Sequence, residues 1–238
     1  MKKIPVLMMA CCVATLLVFN SCNKNSVKSP EQPYGEKSGI ITYKPMDMMG
    51  MQAVQTIYFD DYGRLELRET KIDGNGMGME IHQHTCELRN GNIAYHYDLR
   101  NEVNGVSRGS KTAYKMTIDK VDLEQMNVSA LSPYWVKKLN FKEEGNETVA
   151  GLKGNKYSLV PDSTQPQNII TGIQYKNIPL KLSMGTMVME AEKVEFGVSI
   201  PADKFKVPQG FEVKDAPFNG MPEMPEEEDT TSGMAPLK

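Results

Sequence analysis

Three histidines and a cysteine fall close together near the middle of the chain: His82, His84, Cys86 and His96. Imidazole and thiolate are ligands that zinc and copper favour, so the first chemistry to weigh is metal binding. Side chains alternate across a β-strand, so His82, His84, Cys86 and Leu88 share one face. Asn90-Gly91 is a two-residue hairpin signal. With that pair at the tip, Arg89 pairs with Asn92, Cys86 with Tyr95, His84 with Tyr97 and Thr85 with His96. His96 then points away, which excludes a three-histidine site on one sheet, while a site of His82, His84 and Cys86 stays open. So does a plainer reading. The same face carries Leu88, Ile93, Tyr95, Tyr97 and Leu99, whereas the other carries Gln83, Thr85, Glu87, His96, Asp98 and Arg100. The first face is therefore expected to look inward, with His82, His84, Cys86, Tyr95 and Tyr97 lining an apolar interior or cavity.

Methionine is abundant, 17 residues against a single tryptophan, and it clusters at Met46, Met48, Met49 and Met51, at Met77 and Met79, and at Met184, Met187 and Met189. Flexible thioethers suit an adaptable pocket wall or ordinary core packing. They also ligate cuprous copper. Met187 and Met189 share a strand face and join the candidates for the cavity wall. Motifs for catalysis are missing from the sequence: it has no Gly-x-Ser-x-Gly elbow, no phosphate-binding glycine loop and no His-Glu-x-x-His. Cys86 beside His84 lacks an orienting acid in the sequence pattern, so no enzymatic activity and no cofactor are expected. The net charge of −3 leaves no basic footprint for nucleic acid.

The elements that would position these residues are mostly strands. Gly39 to Pro45 and Met51 to Phe59 have strand patterns; Asp60-Asp61-Tyr62-Gly63 is a hairpin loop, and Arg64 to Ile72 returns with Leu65 and Leu67 on one face. Asp73 to Gly78 reads as a glycine-rich loop. Met79 to Leu88 and Ile93 to Leu99 flank the Asn90-Gly91 turn. Further strands are expected at 138–144, 147–149, 156–161, 169–176, 179–184, 186–194 and 195–199. Helix is sparse: one segment from Lys120 to Met126, and one opened by Ser132 as cap and Pro133 at the first helical position. Many strands in hairpin order with few helices predict a mainly β fold, an incomplete, strongly curved antiparallel β-barrel with a few short covering helices.

The amino terminus reads as a targeting signal. Lys2 and Lys3 precede an apolar run from Ile4 to Phe19, shorter than the roughly 20 residues a spanning helix needs. Leu16-Leu17-Val18-Phe19-Asn20-Ser21-Cys22 resembles the lipobox of Gram-negative lipoproteins. The resemblance implies cleavage after Ser21, thioether lipidation of Cys22 and acylation by chains such as palmitate, which together anchor the chain in a membrane. The organisation expected is a signal peptide at 1–21, lipidated Cys22 and a flexible tether to 37, a curved sheet domain at 38–216, and a disordered acidic tail at 217–238. With Cys11 and Cys12 in the signal and Cys22 lipidated, Cys86 has no partner for an internal disulfide. Asn23 and the acid-free stretch after Cys22 favour the outer membrane with the domain facing the periplasm.

Several segments add a second resemblance. Tyr58-Phe59-Asp60-Asp61-Tyr62-Gly63-Arg64, Leu88-Arg89-Asn90-Gly91-Asn92-Ile93-Ala94-Tyr95 and Val149-Ala150-Gly151-Leu152-Lys153-Gly154-Asn155-Lys156-Tyr157 are similar to hairpins of a family of uncharacterised Gram-negative envelope lipoproteins. Tyr175-Lys176-Asn177-Ile178-Pro179-Leu180-Lys181 and the closing stretch Ile200-Pro201-Ala202-Asp203-Lys204-Phe205 resemble its later strands. Leu152, Asn155, Tyr175 and Asn177 depart from that pattern. The family in turn resembles the Lol superfamily of lipoprotein carriers and receptors. That resemblance implies a half-barrel whose concave face holds acyl chains. The expected function is a lipid-anchored envelope protein that binds a hydrophobic small molecule, lipid or acyl chain in the concavity of its sheet. The alternatives are an assembly accessory docking on an envelope protein, and a metal- or haem-handling protein using His82, His84, Cys86 and methionines. Lipidation is directly testable: Cys22→Ser is expected to abolish incorporation of radiolabelled palmitate and to move the protein out of the membrane fraction.

Overall fold

The computed structural model describes residues 29, 31–48, 50–76, 78–119, 131–160, 164 and 167–216. The segment expected as a signal peptide, Cys22, the helix expected at Lys120–Met126 and the stretch 217–238 expected as an acidic tail lie outside the described residues. The remainder is mainly strand: β1 (Gly39–Tyr43), β2 (Met46–Met48), β3 (Met51–Asp60), β4 (Leu65–Gly76), β5 (Met79–Asn90), β6 (Ile93–Val103), β7 (Val106–Ser107), β8 (Thr112–Thr117), β9 (Lys142–Val149), β10 (Leu152–Leu159), β11 (Ile170–Tyr175), β12 (Ile178–Met184), β13 (Met187–Phe196) and β14 (Glu212–Asp215). One short helix, α1 (Pro133–Lys138), follows Ser132, and 3-10 turns occupy Asp61–Gly63 and Ala202–Phe205.

The strands form one sheet in the order β14-β8-β6-β5-β4-β3-β1-β13-β12-β11-β10-β9, with β2 and β7 as short additions. All pairs are antiparallel except β14 with β8. The first and last strands of that path do not pair, so the sheet stays open. It is nevertheless strongly curved. β13 and β9 touch although three strands separate them, and Val149 of β9 shares a core cluster with Ile57 and Phe59 of β3. Bulges between Thr42 and Tyr43, His84 and Thr85, Lys156 and Tyr157, and Ile173 and Gln174 supply local bending.

Turn chemistry sets the registers. Ala150-Gly151 and Lys176-Asn177 both have positive φ at each residue, the backbone that two-residue hairpins favour. At the β5–β6 tip, Gly91 has φ +62 and takes the first central position, so Asn90 pairs with Ile93. The expected register is corrected accordingly: Cys86 pairs with Tyr97, Leu88 with Tyr95 and His96 with Glu87. The change is a shift of two residues, so the faces at the turn end keep their assignment. Beyond the bulge His84 pairs with Arg100, and Leu99 is exposed rather than inward. The loop expected at Asp73–Gly78 is also corrected, because β4 runs on to Gly76. A Cβ at Gly74 would come within 3.1 Å of Met51 Cα, so glycine there admits the close passage of β3.

Both faces of the central strands β4 and β5 are covered. On one, Tyr34, Ile41, Tyr43, Ile57, Phe59, Ile178 and Leu180 build a core within the curl. On the other, Leu67, Cys86, Leu88, Tyr97 and Ala113 are covered by the chain returning after β13, through Ile200, Phe205, Val207 and Phe211. The end of the segment expected as a flexible tether up to residue 37 packs against the sheet. Tyr34 is buried edge-on against Phe59 at 4.9 Å, and Asn177 Nδ2 donates to the Pro33 carbonyl at 2.7 Å. Among the described residues no helix is long and apolar enough to cross a membrane. Phe205 is the central plug of the second core, so Phe205→Ala is expected to lower stability by about 3 kcal/mol in urea unfolding, through lost burial plus the void left behind.

Candidate functional site

The registers sort the central strands into rows. Phe59, Glu66 and Arg89 form one row on the concave face, and Ile57, Arg68 and Glu87 the next. A charged cluster results inside the curl. Glu66 accepts from the Tyr34 hydroxyl at 2.6 Å, from Arg89 Nη2 at 3.1 Å and from Arg68 Nη2 at 3.2 Å. Arg68 also reaches the exposed Glu87 at 3.3 Å. Burial by itself would push the Glu66 carboxyl up, but Arg68, Arg89 and the Tyr34 hydroxyl outweigh it and hold Glu66 below the usual carboxylate range. Burial, reinforced by Glu66, pushes the Tyr34 phenol well up, so it stays a donor. Glu66 and Arg89 are buried, and Arg68 completes the cluster with about a third of its side chain still exposed.

This cluster forms one wall of a cavity of about 340 Å³. Ile57, Tyr157, Pro179, Leu182 and Met189 supply apolar wall, while Gln55, Gln174 and Asn177 supply amides. The lining draws on β3, β4 and β5 and on β10 to β13, which only the curl brings together. Gly172 contributes by its missing side chain, since a Cβ there would stand 2.3 Å from the Tyr157 ring that lies over it. Arg68 Nε, Arg89 Nε and Asn177 Oδ1 are buried without a hydrogen-bond partner, so the wall retains unused polar capacity. The arrangement can hold a molecule with an apolar body and a polar or anionic end.

The residues singled out from sequence do not converge on one cavity. Met189 lines the concave cavity, whereas Met187 is exposed at the β12–β13 turn. Cys86, Tyr95 and Tyr97 belong to the opposite core, where Phe205 and Phe211 fill the space expected to be open. Tyr97 meets Phe211 edge-on at 5.4 Å. Burial, then Glu69, pushes the Cys86 thiol up to about 12, so the free protein carries it protonated. His84 is half-buried on the same face, and burial lowers its pKa. His82 lies towards the outer end of the hairpin, with Nδ1 2.7 Å from Asp73 and Nε2 3.2 Å from Glu80, contacts that raise its pKa. Glu66, Arg68, Arg89, Tyr157 and Asn177 escaped the sequence reading. The alternation of Leu65, Leu67 and Leu88 does place Glu66, Arg68 and Arg89 together on the face opposite those leucines, which is the signal that could have found them.

No family model matches the chain, and no curated protein matches it. Among solved structures, the MucA/MucB complex of Pseudomonas aeruginosa matches at 12% identity with a TM-score of 0.43, over 76% of this chain and 58% of that one. A structure of MucB matches at 13% identity and TM-score 0.40, over 76% and 60%. A domain described as an outer membrane lipoprotein-sorting protein from Vibrio parahaemolyticus matches at 10% identity and TM-score 0.22, over 71% and 89%. The chain spans less than two thirds of the length of the MucB structures it matches.

The charge cluster makes a pH-dependent contribution to stability. A carboxyl held low in the folded state stabilises fully above its unfolded value of about 4.3 and loses that contribution as pH falls through the folded value. Glu66→Gln, which leaves Arg68 and Arg89 without their shared anion, is expected to cost about 3 kcal/mol at neutral pH. The gap between wild type and variant should stay constant above about pH 5 and close below about pH 4, as read by urea unfolding across that range.

Proposed function

We propose that this chain is an envelope lipoprotein that binds a hydrophobic ligand, a lipid or acyl chain, in the concavity of its sheet, and that its role is binding rather than catalysis. The observation that carries this reading is the cavity of about 340 Å³, apolar along Ile57, Leu182 and Met189. Its volume lies in the range of about 300–1,000 Å³ typical of small-molecule sites. Burial of apolar ligand surface supplies the affinity, at roughly 25 cal/mol per Å² before ordering costs. Location follows from the amino-terminal signal and Cys22: two or three acyl chains hold the protein at a membrane, and the acid-free stretch after Cys22 supports the outer membrane with the domain in the periplasm.

The reading is tested by filling the cavity from its apolar wall. Met189→Trp and Leu182→Trp place a larger ring in the space a ligand would occupy without touching the charge cluster. Wild-type protein is expected to take up a fluorescent fatty acid at one per chain, and each tryptophan variant to lose at least about ten-fold in affinity while its unfolding midpoint changes little. Wild type that binds neither the fatty acid nor a hydrophobic dye would overturn the reading.

A further inference from the structure

We propose that Glu69, His84 and Cys86 form a binding site for a zinc-class divalent cation on the face of the sheet opposite the cavity. The site is independent of the ligand reading above. The β4–β5 register sets Glu69 directly across from Cys86, and His84, two residues before Cys86, shares its face. The ligating atoms of the three residues lie within 4.8 Å of one another. Thiolate, imidazole and carboxylate are all zinc ligands, and three of them on tetrahedral zinc leave a fourth position for water.

Two further observations point to a ligand there. His84 Nε2 is buried with no hydrogen-bond partner. The Glu69 Oε2 atom stands 3.9 Å from it, beyond hydrogen-bond range. Two donor atoms sharing a tetrahedral zinc stand about 3.4 Å apart, so this pair must close by only about half an ångström, within reach of side-chain rotation. The groups around the site hold the ligands in place. Lys204 Nζ pairs with the other Glu69 oxygen at 2.8 Å, leaving Oε2 for the metal. Tyr97 stands directly across from Cys86 on β6. Contacts such as that of Lys204 orient ligating groups in metal sites. On binding, the Cys86 thiol releases its proton to solvent, and thiolate plus carboxylate then balance the two positive charges. His84 and Glu69 keep 22% and 14% of their side chains exposed, which gives the ion a way in. His82 has no part, because both of its ring nitrogens already face carboxylates of Asp73 and Glu80.

The test uses the full chain, purified in detergent under reducing conditions and without a polyhistidine tag. Zn²⁺ is titrated by calorimetry and Co²⁺ by absorption. The expected result is one Zn²⁺ per chain and a Co²⁺ adduct with tetrahedral visible bands and a near-ultraviolet thiolate-to-metal band. His84→Gln and Glu69→Gln should each weaken Zn²⁺ at least about ten-fold. Cys86→Ser should remove the near-ultraviolet band, and His82→Gln should change nothing. The proposal fails if wild type binds less than one equivalent, if its Co²⁺ adduct lacks the thiolate band, or if His82→Gln weakens binding as much as His84→Gln. The wild-type Co²⁺ spectrum needs no variant, so it decides even if Cys86→Ser does not fold.

Discussion

Burying one carboxylate governs much of this architecture. Glu66 is itself buried in the wall of the cavity, and an ionised carboxylate there is stable only if nearly every lone pair is used. Arg68, Arg89 and Tyr34 meet that demand. Each comes from a different segment: Arg68 from the same strand, Arg89 from the next, Tyr34 from the chain ahead of β1. The hydrogen bond to Tyr34 is what draws the segment preceding the sheet into the core, where it also packs on Phe59 and exchanges contacts with the Lys176-Asn177 turn. Through this segment the charge cluster on β4 and β5 is linked to the β11–β12 turn across the curl, and it lines the space between them.

The two cores answer different needs. The concave one leaves room beside a partly polar wall, with Gly172 letting the Tyr157 ring lie over it. The convex one must only exclude water from Leu67, Cys86 and Leu88, and the chain after β13 does so with Phe205 and Phe211 as plugs. A bent sheet has a tight and a wide side, so a chain crossing the wide side can cover it without a full second layer. Glu69, His84 and Cys86 sit in that covered layer at its edge, where Lys204 of the covering segment reaches Glu69.

Much of the strand pattern was legible in the alternation of residues, including β3, β5, β11 and β12, because those segments carry regular apolar positions bounded by turn residues. β14 was not, since Glu212, Val213, Lys214 and Asp215 are all exposed and present no pattern. The candidate site was mostly illegible for a simpler reason. Antiparallel sheets usually keep one wet face, so Glu66, Arg68 and Arg89, placed opposite leucines, read as solvent-facing. At β4 and β5 both faces are covered, and the polar face holds the cavity. Glu69 was hidden by register: the glycines at 74, 76 and 78 look like a loop, yet β4 continues to Gly76 and this alone sets Glu69 opposite Cys86. His82, His84 and Cys86 lie on one strand face, but that face is long: His82 sits towards its outer end between Asp73 and Glu80, and only His84 stays beside Cys86.

An open sheet leaves two rims, and these differ from the seams inside it. β9 ends one rim with Lys142, Glu143, Glu144 and Glu147 and with Gly145 at φ +94, and β14 ends the other with four exposed residues, three of them charged. A foreign strand docking on either would have to strip water from those charges and follow an irregular backbone. Neighbouring copies would thus resist extending one another into fibrils, and the charged borders do for an open sheet what closure does for a barrel.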